Sequence, residues 1–218
     1  MTAMTTIAHH PTDGLLMAYS AGSLPEAFSL TVATHVSMCD ECRARLGAFD
    51  TLGGALLEKE AAPMAGDSLA ATVARIRAGG ERVREWPLPR KAGVLPAPLC
   101  DYVGGDLEAV RWRPIGMGLK QAILPTARDA TARLLFIPAG AAVPGHGHRG
   151  TELTLVLQGA FLDATARFGP GDIEVSNEDV THTPVADIGA DCICLAATDA
   201  PLRFRTLLPR LAQPFLRI

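Results

Sequence analysis

The chain has 218 residues, 48% of them hydrophobic, and a formal net charge of −3 from 20 basic and 23 acidic side chains. That length fits two domains of roughly 80 to 120 residues each, and the near balance of charge excludes an overall basic field for nucleic acid. No apolar run approaches the ~20 residues that a membrane-spanning helix needs. The five cysteines and the lack of a secretory leader pattern predict a cytoplasmic protein whose thiols are reduced or metal-bound.

The N-terminal third of the chain has the apolar periodicity of helices. Asp13 precedes a short predicted helix. Ser23 and Glu26 have the spacing of a capping box, with a proline in the first turn, and so predict a second helix over 24–36. A third helix is predicted to begin at Asp40.

A fourth predicted helix, 69–77, carries a narrow apolar stripe. Leu69, Val73 and Ile76 recur along it at helical period. The segment 61–66 separates this helix from the first three. The stripe therefore either packs on those helices or binds a partner protein, and the residues alone leave both readings open. We assign the three apolar side chains as candidate partner-binding residues.

His35, Cys39 and Cys42 form a His-x3-Cys-x2-Cys run between the second and third predicted helices. On a helix or a helix-to-helix turn, spacings of four and three place the side chains on one side. One imidazole and two thiolates suit zinc, and a structural site takes a fourth ligand, for which His10 is the best candidate and His9 an open alternative. A buried histidine beside two core thiols is the other reading, which the combined spacing disfavours. The sequence thus predicts a small zinc-stabilised helical bundle.

Residues 79–98 are rich in glycine, proline and charge, which is typical of a linker. They separate a predicted helical domain, 1–78, from a second domain, 99–218, in which short apolar segments have the period of strands. Such a series, with glycine and proline between the segments, predicts an all-β sandwich or small barrel. The predicted fold class is therefore α+β with two domains. The candidate strands are 119–124, 132–137, 152–157, 160–163, 172–175, 191–196 and 202–207.

A second set of metal-binding side chains follows the pattern G-x5-H-x-H-x3-E-x6-G over 140–159. His146 and His148 alternate on an extended segment, so both imidazoles face the same side of a sheet. Glu152 begins the next strand, and the later His182 supplies a third imidazole. Three nitrogens and a carboxylate inside a barrel suit zinc or another divalent transition metal such as iron, manganese, copper or nickel. Surface histidines in a glycine-rich loop are the alternative, which the five matched positions disfavour.

This spacing resembles the first motif of the cupin superfamily, whose fold is a jelly-roll β-barrel. The second cupin motif is matched less well, because Thr183 follows His182 and the final asparagine of that motif is absent. The N-terminal His-x24-His-x3-Cys-x2-Cys pattern resembles the zinc-binding anti-sigma domain. Joined in this order, the two parts resemble the ChrR family of bacterial anti-sigma factors over nearly the whole chain.

The resemblance implies a transcriptional regulator, not an enzyme, that binds and inhibits an extracytoplasmic-function-type sigma factor without binding DNA itself. In that family the cupin is linked to sensing photo-oxidative stress, notably singlet oxygen, after which the sigma factor is released. The implied zinc ligands of the helical part are His10, His35, Cys39 and Cys42. The implied metal ligands of the cupin are His146, His148, Glu152 and His182.

Two other classes of protein compete with this interpretation. A metal-dependent cupin dioxygenase with an accessory helical zinc domain is the stronger one, because three histidines and a carboxylate can hold iron with positions left for oxygen and substrate. A DNA-binding regulator is disfavoured, since residues 1–79 carry five basic against eight acidic side chains. Cys192 and Cys194, which alternate on a predicted strand, are either a redox pair or two core thiols on the same face.

Overall fold

The computed structural model describes residues 6–60, 62–79 and 93–204. Its helices are α1 (Asp13–Ser20), α2 (Glu26–Met38), α3 (Asp40–Leu57), α4 (Ser68–Arg77) and α5 (Ala97–Val103), followed by a 3-10 helix at Leu107–Ala109. Its strands are β1 (Arg113–Gly116), β2 (Leu119–Ile123), β3 (Thr131–Ile137), β4 (His146–Gly147), β5 (Glu152–Gln158), β6 (Phe161–Leu162), β7 (Arg167–Phe168), β8 (Ile173–Ser176), β9 (Thr181–His182), β10 (Val185–Ala186), β11 (Cys192–Thr198) and β12 (Arg203–Phe204). The predicted order of helices followed by strands is confirmed.

The first and third helices begin where backbone N–H groups find side-chain acceptors. α1 begins at Asp13 because the Thr12 hydroxyl, as N-cap, accepts a hydrogen bond from the Leu15 N–H group at 3.3 Å. α3 begins directly after α2, and the Cys39 sulfur between them accepts from the Cys42 N–H group at 3.5 Å. The chain therefore turns sharply between α2 and α3, at the predicted metal-binding residues.

The predicted capping box at Ser23 is wrong, since α2 begins after Pro25 and has no side-chain cap. The Ser23 hydroxyl instead donates to a carbonyl of α1 at 3.1 Å. The Glu26 carboxylate accepts hydrogen bonds from the Tyr102 hydroxyl at 2.7 Å and the Ala127 N–H group at 2.6 Å. Long-range contacts thus use the carboxylate that the local pattern assigned to capping.

The strands form antiparallel sheets, as the cupin resemblance predicts. One sheet has six strands in the order β1-β2-β3-β11-β5-β8, and two sheets have three strands each, β10-β6-β7 and β12-β4-β9. The seven predicted strands correspond to β2, β3, β5, β6, β8, β11 and β12, although residues 205–207 of the last lie outside the described range. The sequence missed β1, β4, β7, β9 and β10, which have four residues or fewer and too little periodicity to detect.

The hydrophobic core is continuous between the helical part and the large sheet. α2 packs on one face of β3, β5 and β11, and also contacts α5. Leu30 and Val32 of α2 belong to the same buried cluster as Leu134, Leu155 and Leu195 of these strands. Fully burying such a side chain stabilises the fold by about 1.5–3 kcal/mol. The helices are therefore held on the sheet by a shared apolar core.

Part of the predicted linker belongs to this folded body. Residues 80–92 lie outside the described range, but Leu95 is buried, and α5 begins at Ala97. The N–H groups of Val94 and Leu95 donate to the Asp106 carboxylate at 3.0 and 2.9 Å. The sequence did not predict α5, because its seven residues follow a proline-rich stretch. The division into domains 1–78 and 99–218 stays a prediction.

The outer part of the helical region exposes apolar side chains. α4 buries none of its residues, and Leu69 and Ile76 are 75% and 70% exposed, with Val73 half-buried. The end of α3 is similarly exposed at Leu52 and Leu56. The α4 stripe is thus not covered by α1–α3. Among the described residues, none of the helices combines the length and hydrophobicity that crossing a bilayer requires.

Candidate metal centres

The helical part brings four predicted ligands together beside the strand-rich part of the chain. His35 lies in the last turn of α2, Cys39 is the N-cap of α3, and Cys42 lies in the first turn of α3. The segment before α1 supplies His10, whose Nδ1 lies 3.5 Å from Cys39 Sγ and 3.3 Å from Cys42 Sγ. One ligand atom from each of the four residues lies within 4.8 Å of the others. His9 instead places its ring 4.4 Å from the Phe168 ring.

The two imidazoles of this N-terminal cluster each have one nitrogen that faces an oxygen. His35 Nδ1 donates to the Gly171 carbonyl at 2.8 Å, which leaves its buried Nε2 without a hydrogen-bond partner. His10 Nε2 lies 3.6 Å from a Glu41 carboxylate oxygen, and its Nδ1 faces the thiols. Such outer partners are typical of metal-binding histidines because they fix the ring and its tautomer.

The spacing and protonation of the N-terminal cluster fit a zinc ion. Tetrahedral zinc, with bonds of about 2.3 Å to sulfur and 2.0 Å to nitrogen, separates neighbouring sulfur and nitrogen ligands by roughly 3.5 Å. Burial lowers the pKa of His35 to about 4, so that its imidazole is neutral and can donate a lone pair. Burial, with Cys39 as the next cause, raises the pKa of Cys42 to about 12, so a metal ion must displace that thiol proton.

A second cluster of three buried histidines lies in the strand-rich part of the chain. His146 on β4 pairs with His182 on β9, which brings their Nε2 atoms to 3.2 Å. His148 Nε2 lies 3.3 Å from His182 Nε2, so the three imidazoles converge through equivalent nitrogens. Burial lowers the pKa of His146 and of His148, which favours their neutral, lone-pair-bearing forms. The donor set and its spacing fit a divalent transition metal.

The other nitrogen of each histidine again faces an oxygen. His146 Nδ1 lies 2.9 Å from the Pro144 carbonyl, and His182 Nδ1 lies 3.1 Å from a Glu174 carboxylate oxygen. His148 Nδ1 lies 3.5 Å from Glu152 Oε2 without hydrogen-bond geometry. All three rings are therefore oriented with Nε2 toward the centre of the cluster.

Glu152, the predicted fourth ligand, lies beside this cluster and not within it. Its Oε2 faces His148 Nδ1, and its Oε1 accepts a hydrogen bond from the Thr154 hydroxyl at 2.9 Å. The carboxylate lines the same cavity as His146 and His182. The structure therefore brings three of the four predicted cupin ligands together, and the role of Glu152 stays a prediction.

Two carboxylates behind His182 were not identified from the sequence. Asp163 and Glu174 form a further group with His182, on its Nδ1 side. Burial raises the pKa of Glu174. Burial acts in the same direction on Asp163, but hydrogen bonds from residues 165 and 166 hold the pKa of that carboxyl well below its usual range. The sequence carries no short-range signal for Glu174, because its place beside His182 depends on the pairing of β8 with β5, in which Glu174 lies opposite Thr154.

The turn between β7 and β8 connects the two clusters. Between β7 and β8, Asp172 Oδ1 accepts hydrogen bonds from the N–H groups of residues 8 and 9 at 2.7 and 2.9 Å, next to His10. The preceding residue, Gly171, provides the carbonyl that binds His35. Two residues after Asp172, Glu174 faces His182. Residues 171–174 therefore contact the ligand-bearing segments of both clusters.

Comparisons with known proteins identify the family of this chain. Residues 102–200 match the family described as the ChrR cupin-like domain. The anti-sigma-E factor ChrR of Cereibacter sphaeroides is 62% identical over 217 residues, which cover 98% of this chain and all of that protein. The crystal structure of Rhodobacter sphaeroides SigE in complex with the anti-sigma ChrR matches with a TM-score of 0.78 and 58% identity, covering 88% of this chain and 99% of that one.

Fold and sites together define a cupin protein with an N-terminal histidine- and cysteine-bearing helical part. The near full-length similarity to ChrR then identifies the family within this class. The chain belongs to the ChrR family of anti-sigma factors. The predicted family, the α+β fold class and the regulatory rather than enzymatic role are confirmed, and the dioxygenase alternative is not favoured.

We expect Gly171→Ala to destabilise the protein at the turn between the clusters. Gly171 has φ of +90°, and an added Cβ would lie 2.5 Å from the Ile7 Cδ1 atom. The left-handed backbone and the clash together are expected to lower the free energy of unfolding by about 2 kcal/mol or more. Urea unfolding measures the change. Gly189→Ala is the matched control, since nothing lies within 4 Å of its Cβ position; equal stability of the two variants would contradict the expectation.

Proposed function

We propose that this chain is an anti-sigma factor that binds and inhibits an extracytoplasmic-function-type sigma factor, and releases it when the cupin senses oxidative stress, in particular singlet oxygen. The observation that carries the proposal is the near full-length similarity to ChrR, which in the Rhodobacter sphaeroides structure is in complex with SigE. Inhibition means that the sigma factor is kept from core RNA polymerase, and the site of action is therefore the cytoplasm. The partner is a protein, and the chain itself does not bind DNA.

The exposed apolar side chains of α4 support a protein partner. A ten-residue helix that buries none of its residues is marginal in water, because isolated helices of this length do not recover the cost of nucleation. Leu69, Val73 and Ile76 would be covered if the sigma factor packed on this helix. Large apolar side chains in the centre of an interface commonly supply most of its binding free energy. We therefore assign these three residues to the sigma-binding surface.

We further propose zinc at His10, His35, Cys39 and Cys42, and zinc or another divalent transition metal at His146, His148 and His182 with Glu152 as fourth ligand. At the first site the ion joins the end of α2, the start of α3 and the segment before α1, and so stabilises a helical part too small for a core of its own. Support for the Glu152 assignment comes from its position on the cavity wall beside His148.

The cupin signal has a short physical route to the helical part. His182 contacts Glu174, and Glu174 lies two residues from the carboxylate that holds the N-terminal segment. A change at the histidine cluster that moves β8 would therefore act on the backbone next to His10. We propose that release of the sigma factor follows this route, through residues 171–174.

Metal analysis of purified variants tests the two sites. The unmodified chain is expected to retain two equivalents of metal, and His10→Ala to retain one, because a zinc site with three ligands loses most of its affinity. His9→Ala is the matched control and should retain both. Inductively coupled plasma mass spectrometry counts the ions. Two equivalents in His10→Ala, or loss of one in His9→Ala, would contradict the ligand assignment.

A binding assay with purified SigE of Rhodobacter sphaeroides tests the anti-sigma function, with ChrR of that organism as positive control. Combined Leu69→Glu and Ile76→Glu substitutions should weaken binding by at least about tenfold, because carboxylates would be buried in the interface. Ile188→Glu, at an 87% exposed apolar residue of the cupin, should change affinity less than about twofold. If ChrR binds SigE and this chain does not, the proposed function is wrong. Equal effects of the two sets of substitutions on the affinity would contradict the assignment of α4 to the sigma-binding surface.

Illumination of the same complex with a photosensitiser tests release. Singlet oxygen is expected to dissociate the complex of the unmodified chain within the exposure time, as followed by size-exclusion chromatography. His182→Ala should bind SigE normally but release it at least about tenfold more slowly, because the proposed route begins at this side chain. A dark sample with the same photosensitiser is the control. Equal release rates would place the sensor outside the cupin cluster.

A further inference from the structure

The cupin part contains a cavity of about 390 Å³ that extends from the histidine cluster. That volume corresponds to on the order of a dozen non-hydrogen atoms, at about 30 Å³ for each water-sized group. Most of the lining is apolar, and ligand sites are usually such concave apolar spaces with a few polar groups. The apolar lining includes Ile115, Leu119, Phe136, Phe161, Leu202 and Phe204.

A buried arginine lies in the wall of this cavity, and one of its N–H groups has no hydrogen-bond partner in the fold. Arg133 on β3 is 7% exposed, and its Nη1 donates to Gln121 Oε1 at 3.3 Å. Its Nε is buried and has no hydrogen-bond partner. Glu152 attracts the guanidinium electrostatically, but its carboxylate is engaged by Thr154 and faces His148. A buried N–H group without an acceptor costs free energy, so the Nε group of Arg133 requires an explanation that the hydrogen bonds of the fold do not give.

We propose that the cupin cavity binds a small amphiphilic monoanion, a carboxylate on an apolar chain, with Arg133 holding the head group and the apolar wall enclosing the chain. The planar guanidinium presents parallel N–H donors that match the two oxygens of a carboxylate. A dianionic phosphate fits less well, because Glu152 and Glu174 also line the cavity and repel additional negative charge.

The carboxylate site goes beyond the proposed function and does not depend on it, since binding is measured on the chain without a sigma factor. Arg133 and the three histidines lie on different elements of the chain, although the Arg133 guanidinium interacts electrostatically with Glu152. Arg133 pairs across the sheet with Ala196, whereas the three histidines lie on β4, β9 and the segment after β4. A carboxylate held by Arg133 and one bound directly at the histidine cluster are therefore distinguishable by substitution.

Calorimetric titration of sodium decanoate, which has twelve non-hydrogen atoms, into the full-length metal-loaded chain tests the proposal. Saturable binding with one molecule per chain is expected. Arg133→Gln should weaken it by at least tenfold, and Arg128→Gln, at an exposed residue, by less than twofold. Decan-1-ol, which has the chain without the carboxylate, should bind the unmodified protein at least tenfold more weakly than decanoate. That comparison holds even if Arg133→Gln fails to fold.

Trp112 offers an independent optical readout in a Trp86→Phe background, which leaves it as the single tryptophan of the chain. Its ring lies 6.0 Å from the Phe136 ring, which lines the cavity, so decanoate should change its emission with the same midpoint as the calorimetric titration. Absence of saturable binding for hexanoate, octanoate and decanoate would overturn the proposal. Unchanged decanoate affinity in Arg133→Gln together with lost binding in His182→Ala would also overturn it, by assigning the head group to the histidine cluster.

Discussion

The helical part of this molecule depends on its attachment to one turn of the cupin sheet. The Gly171 carbonyl orients His35, and the Asp172 carboxylate fixes the backbone that leads to His10. Both histidine-bearing segments are thus held by two adjacent residues of another part of the chain. α1 buries only Leu16 and α3 only Cys42, and the buried apolar side chains of α2 belong to the core that it shares with the sheet. A bundle of this size needs a metal ion or a larger neighbour for stability, and the geometry provides places for both.

Both clusters follow the same rule, with one imidazole nitrogen directed inward and the other placed near an oxygen. The oxygens differ in kind. His35 and His146 face backbone carbonyls, whereas His10 and His182 face carboxylates. A carboxylate partner makes an imidazole a more basic ligand than a carbonyl does. His182, which has both Glu174 and Asp163 near its Nδ1, is therefore the most electron-rich of the cupin histidines.

The sequence predicted best what depends on short spacings. His35, Cys39 and Cys42 meet because a helix turn brings residues three and four apart together, and His146 and His148 share a face because strands alternate. The sequence did not reveal that Glu26 would bind Tyr102 instead of capping α2, or that Asp172 would bind residues 8 and 9, because each contact joins positions more than 70 residues apart. It favoured His10 as the fourth ligand but left His9 as an open alternative. Their difference arises from Phe168, on which the His9 ring packs.

The short distance along the chain between Gly171 and Glu174 has a consequence for how this protein can vary among its relatives. Alternate residues of a strand face opposite sides, so one residue inserted between these two positions would turn Glu174 away from His182 while Gly171 stayed beside His35. One deletion would have the same effect. A change in the length of this turn would therefore uncouple the two clusters. Lineages that keep both sites are therefore expected to keep the length of this turn, whatever residues occupy it.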